Sequence, residues 1–194
     1  MSYSVILDAG TLVPGYLRNA LLHLAAYVTY RPLWTERIWA EALQEACQLN
    51  PLADRARLEQ INKSIQSRFG DDAMVTGWEQ HESAMTNNVQ DRHVLAAAVA
   101  SNANGVVTTD PGSFPEPSRQ PFSLALYSPD DFLVDRLNWT PSKVLSAVEA
   151  QAAETARGGA GERLSAEDIL DKLEEKAPNF AREAADALRQ FRVH

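Results

Sequence analysis

Asp91-Arg92-His93-Val94-Leu95-Ala96-Ala97-Ala98-Val99-Ala100-Ser101-Asn102-Ala103-Asn104-Gly105-Val106-Val107-Thr108-Thr109-Asp110 joins a helix pattern to a strand pattern with an acid at each end. Residues 91–103 are small or apolar around most of a helical circumference, which predicts a helix inside a core rather than on a surface. Asn102-Ala103-Asn104-Gly105 is a helix stop, and Val106-Val107-Thr108-Thr109 reads as a buried strand closing on Asp110. The same grammar opens the chain, where Tyr3-Ser4-Val5-Ile6-Leu7 closes on Asp8 and Ala9-Gly10-Thr11 turns. Pro14 suits a first helical turn, followed by the apolar stripe Leu17, Leu21, Leu22, Leu24, Ala25 and Val28. Tyr30–Trp34 reads as a second strand, and Thr35 as the N-cap of a helix over Glu36–Leu49. Residues 54–69 form a polar-faced amphipathic helix with Leu58, Ile61, Ile65 and Phe69 on its apolar side. Ala73–Thr76 is a candidate short strand, Ser123–Tyr127 a last strand, and Pro129-Asp130-Asp131 the start of another helix.

Strands alternating with helices predict an α/β fold with a central parallel sheet. In such sheets the carboxyl ends of strands and the amino ends of neighbouring helices converge on the ligand crevice. Asp8 and Asp110 end strand patterns, while Glu41 and Asp91 stand near helix starts. A crowd of carboxylates is costly there unless a divalent cation neutralises it, so the pattern points to metal-dependent chemistry.

Bulk properties narrow the class. With 194 residues the chain holds one domain plus an extension, or two small domains. Its single cysteine, Cys47, excludes an intramolecular disulfide framework and suits a reducing compartment. It falls in a helical pattern and reads as a small buried residue. No charged-then-apolar leader opens the sequence and no apolar run reaches membrane-spanning length, so a cytoplasmic protein with no membrane partner is expected. A net charge of −8 argues against a general nucleic-acid-coating protein, because non-specific binding draws on Lys and Arg. It leaves room for a metal nuclease, whose own acids inflate the negative count.

Beyond residue 138 strand signals cease. Helical patterns cover 141–156 and two later stretches, with a glycine-rich break at Gly158-Gly159-Ala160-Gly161. Ser165 and Asp168 have capping-box spacing, and Pro178 marks the last helix start. The expected organisation is an α/β domain over 1–138 and a helical extension over 139–194, hinged near 158–161. Leu170, Leu173, Phe180, Leu188 and Phe191 form the extension's apolar stripe.

These motifs resemble a known family. Val5–Val13 looks like the opening strand of PIN domains, an apolar run followed by Asp-x-Asn, and Thr35–Glu41 resembles their second acidic motif. Asp91–Val99, followed by Val106–Asp110 and Phe114-Pro115, resembles VapC-type toxins, in a branch with a C-terminal helical extension. The resemblance implies a three-layer α/β/α fold and an endoribonuclease using Mg²⁺ or Mn²⁺, leaving 5′-phosphate and 3′-hydroxyl ends. It implies a toxin with an RNA substrate, a cognate antitoxin and a homodimeric assembly. Asp8 and Asp91 are then the expected direct metal ligands, with Glu41 and Asp110 binding through water, holding a second ion or orienting the nucleophile. Thr11 and Thr109 support the acids or a phosphate, and Arg18 and Arg37 are candidate RNA contacts. Two positions depart from the pattern. Gly10 replaces the usual Asn, and Ser113 stands where the branch often has an Asp that complements Asn at position 110.

Ordinary roles compete for each acid: an Asx-turn for Asp8, a solvated helix face for Glu41, N-capping for Asp91, and a turn before Pro111-Gly112 for Asp110. His93, two residues after Asp91, is expected to face away from the site and serve packing; His23, His81 and His194 lack ligand spacing. Trp34, Trp39, Trp78 and Trp139 are expected as core or interface anchors. The competing function is a non-catalytic PIN-like interaction module. A haloacid-dehalogenase-type phosphatase wants a second Asp where Gly10 stands.

Overall fold

A computed structural model of the chain describes residues 3–27, 29–157 and 164–191. Val28, the glycine-rich break at 158–161 and His194 lie outside the described residues. By contact the chain divides into one unit formed by Met1–Val13 with Arg31–Ser128 and another formed by Pro14–Tyr30 with Pro129–His194.

The first unit is built on a four-stranded, wholly parallel sheet: β1 (Ser4–Leu7), β2 (Arg31–Leu33), β3 (Gly105–Val107) and β4 (Ala125–Tyr127), in the order β2-β1-β3-β4. Ile6 lies between Leu33 and Val106 in the register, and Val5, Ile6, Leu7, Val106 and Val107 are fully buried. Strands covered on both faces carry such continuous apolar runs. Gly105 is dictated by β4: a Cβ there would come within 2.6 Å of the Ala125 carbonyl oxygen.

Around the sheet lie α1 (Ala9–Leu12), α3 (Glu36–Leu49), α4 (Arg55–Phe69), α5 (Glu79–Glu82), α6 (Arg92–Ala100) and α7 (Glu116–Arg119). Here α2 (Gly15–Ala26) is reserved for the second unit. Helix α6 buries His93 through Ala98, as its small-residue composition predicts. Thr35 caps α3 by accepting from the Ile38 amide at 3.1 Å. Asp54 caps α4 through the Arg57 amide at 3.2 Å. Trp34 joins these helices, making edge-to-face contacts with Trp39 of α3 and Phe69 of α4, each at 5.5 Å.

Two expected strands change. Ala73–Thr76 makes only a single bridge, Trp34 to Met74, because Gly70 and Gly77 turn the chain with φ of 68° and 72° on either side. Strand β3 ends at Val107, so Asp110 lies three residues beyond it instead of closing it. Cys47 is half-buried on α3.

The second unit is helical: α2 with α8 (Pro129–Trp139), α9 (Pro141–Arg157), α10 (Ala166–Leu173) and α11 (Pro178–Phe191). Helix α2, grouped with the α/β domain in the sequence reading, makes its main contacts with α9 and α10. Gln151 donates to the Tyr16 carbonyl at 3.1 Å, and Tyr30 meets Phe132 edge-to-face at 4.8 Å. The Ser165–Asp168 capping box is present. Leu170, Leu173, Phe180 and Leu188 are buried, whereas Phe191 is exposed. Trp139 is 75% exposed and anchors no core.

Asp130 joins α8 to α11. Its carboxylate accepts from the Asn179 amide (3.2 Å), the Asn179 side chain (2.8 Å) and the Phe180 amide (2.8 Å), and so caps α11 from another helix. These are charge-assisted bonds at a helix N-terminus, where backbone donors and dipole both favour a carboxylate. Replacing Asp130 by Ala is expected to cost about 1–3 kcal/mol, read as a lower denaturation midpoint with reduced helical signal from this unit.

Candidate active site

Connections from β1 run to β2 on one side, while β3 lies on the other, so the β1/β3 seam is the topological switch point where open α/β sheets place their crevice. Asp8 follows β1 immediately and Thr108 follows β3. Across the seam the Thr108 hydroxyl donates to Asp8 Oδ2 at 2.7 Å, while the Ala9 amide donates to Oδ1 at 2.8 Å. Thr11 supports the same turn by donating its hydroxyl to the Asp8 carbonyl at 2.7 Å. The Asp110 amide donates to Thr108 Oγ1 at 3.0 Å, so Thr108 links both acids.

Asp8 is nearly buried, and its pKa is raised. Burial is the largest cause; the Thr108 and Ala9 hydrogen bonds oppose it, and the nearby charge of Asp91 adds to it. Asp91 occupies the N-cap position of α6, yet its side chain makes no capping bond. Capping therefore does not account for its carboxylate. Asp110 is held differently: Ser113 donates to its Oδ2 at 2.7 Å, and Asn88 approaches Ser113 at 3.4 Å. The serine found in place of an acid thus anchors Asp110.

Glu41, on α3, is half-exposed and tied on both oxygens, with Arg37 Nε 3.0 Å from Oε1 and His93 Nε2 3.1 Å from Oε2. Burial disfavours its charge, but the hydrogen bonds and charges of His93 and Arg37 together outweigh burial, and its pKa is lowered. His93 therefore does not face away from the acids. It meets Glu41, which reaches it from a different helix. The imidazole is buried beside Trp78, with ring centroids 5.9 Å apart.

Arg37 also contacts Glu82 at 3.3 Å and the Gln90 carbonyl at 3.3 Å, so its guanidinium is committed to protein acceptors. Arg18 lies on α2 in the second unit, where burial lowers its pKa. Among the described residues no acid is bonded to Thr109, whose place instead accounts for Gly10: a Cβ at position 10 would lie 2.3 Å from Thr109 Oγ1. The Thr109 hydroxyl occupies the space a side chain at 10 would need. Thr108, Ser113 and His93 were not assigned site roles from sequence. Alternation makes adjacent threonines point to opposite sides, and without the register either could have faced Asp8.

Among the described residues no three His, Cys, Asp or Glu side chains stand together as a preformed metal cage. Asp8 and Asp91 are hard oxygen donors close enough for their charges to interact, which suits an ion that takes one or two carboxylates and keeps several waters.

The family model "VapC50 C-terminal domain" matches residues 129–186, spanning α8 to most of α11. The chain is 34% identical over 116 residues to a Mycobacterium tuberculosis protein named "Putative ribonuclease VapC50", a match covering 58% of this chain and 64% of that protein. The aligned part is thus less than two thirds of the relative's length. No solved structure matches the chain. In its parallel sheet, the acids at the switch point and the helical C-terminal match, the chain is similar to VapC-type PIN proteins that carry a C-terminal extension.

Proposed function

We propose that the chain is an endoribonuclease that hydrolyses RNA phosphodiester bonds with Mg²⁺ or Mn²⁺ and acts as the toxin of a toxin–antitoxin pair. The observation that carries this reading is the buried Asp8 carboxylate at the β1/β3 switch point, held by Thr108 and adjacent to the charge of Asp91. The relative's name, which specifies a ribonuclease, agrees with it.

Asp8 and Asp91 would hold the ion. When bound by these two carboxylates, a divalent ion would supply Lewis-acid activation of water and neutralise charge on the phosphate. The chain's own groups set the geometry: Thr108 and the Ala9 amide fix the Asp8 carboxylate, and Ser113 fixes Asp110. Glu41, kept ionised by Arg37 and His93, presents a stable negative charge that would orient the attacking water. That water would add to phosphorus as the bond to the 3′ oxygen breaks, its proton passing to solvent and the 3′ oxygen taking one from solvent, giving 5′-phosphate and 3′-hydroxyl ends. A cytoplasmic homodimer inhibited by a small antitoxin completes the proposal. Among the described residues no helix is long and apolar enough to cross a membrane.

A non-catalytic interaction module is the second reading. It is favoured by the engagement of Glu41 with Arg37 and of Asp110 with Ser113, and by the lack of a side chain at Gly10.

Cleavage of single-stranded RNA with Mn²⁺ separates the two. Asp8→Asn and Asp91→Asn are each expected to lower the rate by roughly 100-fold or more, the scale for losing a main electrostatic group, and EDTA is expected to abolish it. Equal, negligible cleavage by wild type and variants would establish the module. For the toxin role, induced expression should arrest growth in wild type but not in Asp8→Asn, with relief on co-expression of the neighbouring antitoxin.

Stability should move in the opposite direction to activity. A raised carboxyl pKa means that the stability contribution is full below the unfolded-state pKa and is lost as pH rises through the folded value. At neutral pH the ionised, metal-free Asp8 therefore destabilises the fold, and Asp8→Asn keeps the same shape without the charge. The metal-free variant is expected to melt above wild type at neutral pH, 1 kcal/mol being worth about 2–4 °C for a protein of this size. The two melting curves should converge in acid.

A further inference from the structure

Helix α4 is the most basic element of the first unit: Arg55, Arg57, Lys63 and Arg68 are four of that unit's eight Lys and Arg residues. Its two faces are sharply separated. Leu58, Ile61, Asn62, Ile65 and Phe69 are turned inward, whereas Arg57, Gln60, Lys63, Ser64, Ser67 and Arg68 are exposed. At 100° per residue the exposed set spans an arc of about 140°. No acid lies in that arc, since Glu59 sits outside it and is paired with Arg55 at 3.0 Å. The other acids near α4 in sequence are at its ends, Asp54 at the N-cap and Asp71 and Asp72 after Gly70.

Orientation gives this face a direction. Thr35 is the N-cap of α3, Glu41 lies in its second turn, and α4 follows α3 in the chain and packs against it. The end of α4 is set against Trp34 through Phe69, and Trp34 contacts Trp39 on the Glu41 helix. From Arg57 to Arg68 the exposed row runs about 16 Å along the axis and ends next to the elements that carry Glu41. In a chain of net charge −8, a cationic, acid-free row with interspersed amide and hydroxyl donors has the chemistry of a phosphate track.

We propose that the exposed face of α4, chiefly Arg57 and Lys63, binds the sugar–phosphate backbone of single-stranded RNA and guides it toward the crevice. This deepens the ribonuclease reading and rests on it. Contact is with phosphate rather than bases, so the face contributes affinity and register without sequence preference.

Full-length Asp8→Asn protein, which binds without cutting, would be titrated with a fluorescein-labelled single-stranded RNA across a series of salt concentrations. Arg57→Gln with Lys63→Gln in that background is expected to weaken binding several-fold at low salt. It should also flatten the slope of log K against log salt by about 1.4, or 0.7 per lost contact. Both positions are exposed, so an unchanged melting temperature certifies the fold. Lys143→Gln, a similarly exposed cation on α9 of the second unit, should leave the slope unchanged. A slope unaltered by the α4 pair, or lowered equally by Lys143→Gln, overturns the assignment to α4 while leaving the ribonuclease reading intact. Absence of RNA binding by the parent protein overturns both.

Discussion

The first unit turns on one hydrogen bond: the Thr108 hydroxyl on the Asp8 carboxylate, across the seam between β1 and β3. A charged group so nearly buried survives only when its lone pairs are met by donors, and here a side-chain hydroxyl and a backbone amide meet them. The bond also fixes two strand ends relative to one another and, through the Asp110 amide on Thr108, the loop that follows. Partial compensation is what makes the site chemically useful. Burial and Asp91 still hold the Asp8 pKa up, so the group has an unmet demand for positive charge. The fold supplies that demand at the one place where a parallel sheet is open to a ligand.

Glu41 shows the opposite balance. Arg37 and His93 already satisfy it, and its ionised form is favoured with no ion bound. The two acids are therefore suited to different tasks, one drawing in a cation and the other presenting a stable negative oxygen. A division of labour between carboxylates set by unequal surroundings recurs in acid-base chemistry.

Much of this was legible in the chain itself. The core helix at 92–100, the strand that leads into Asp8, the Thr35 cap and the Ser165–Asp168 box follow from local patterns of burial and hydrogen bonding, and those patterns survive packing. Other features depend on register and on which elements meet. Thr108 and Thr109 are chemically alike, and only the pairing of β3 with β1 decides that Thr108 reaches Asp8. His93 was assigned away from the acids because helical spacing relates it only to Asp91, whereas its partner, Glu41, comes from fifty positions upstream. Helix α2 follows the first strand closely in sequence, yet its apolar stripe is met by α9 and α10, from the far end of the chain. The exposure of Trp139 likewise could not be read from its size.

The close approach of Gly10 to Thr109 has an evolutionary corollary. The two positions form a lock in which each residue's size sets the other's tolerance. Acquiring Asn at position 10 while Thr109 keeps its rotamer crosses a steric barrier. Shrinking position 109 first opens the space at little cost to a site whose hydroxyl bond comes from Thr108. A rotation of the Thr109 hydroxyl would open the same space without a second substitution, since the next nearest atom, its Cβ, lies at an ordinary contact distance of 3.6 Å, so the lock is set by a rotamer and not by the backbone.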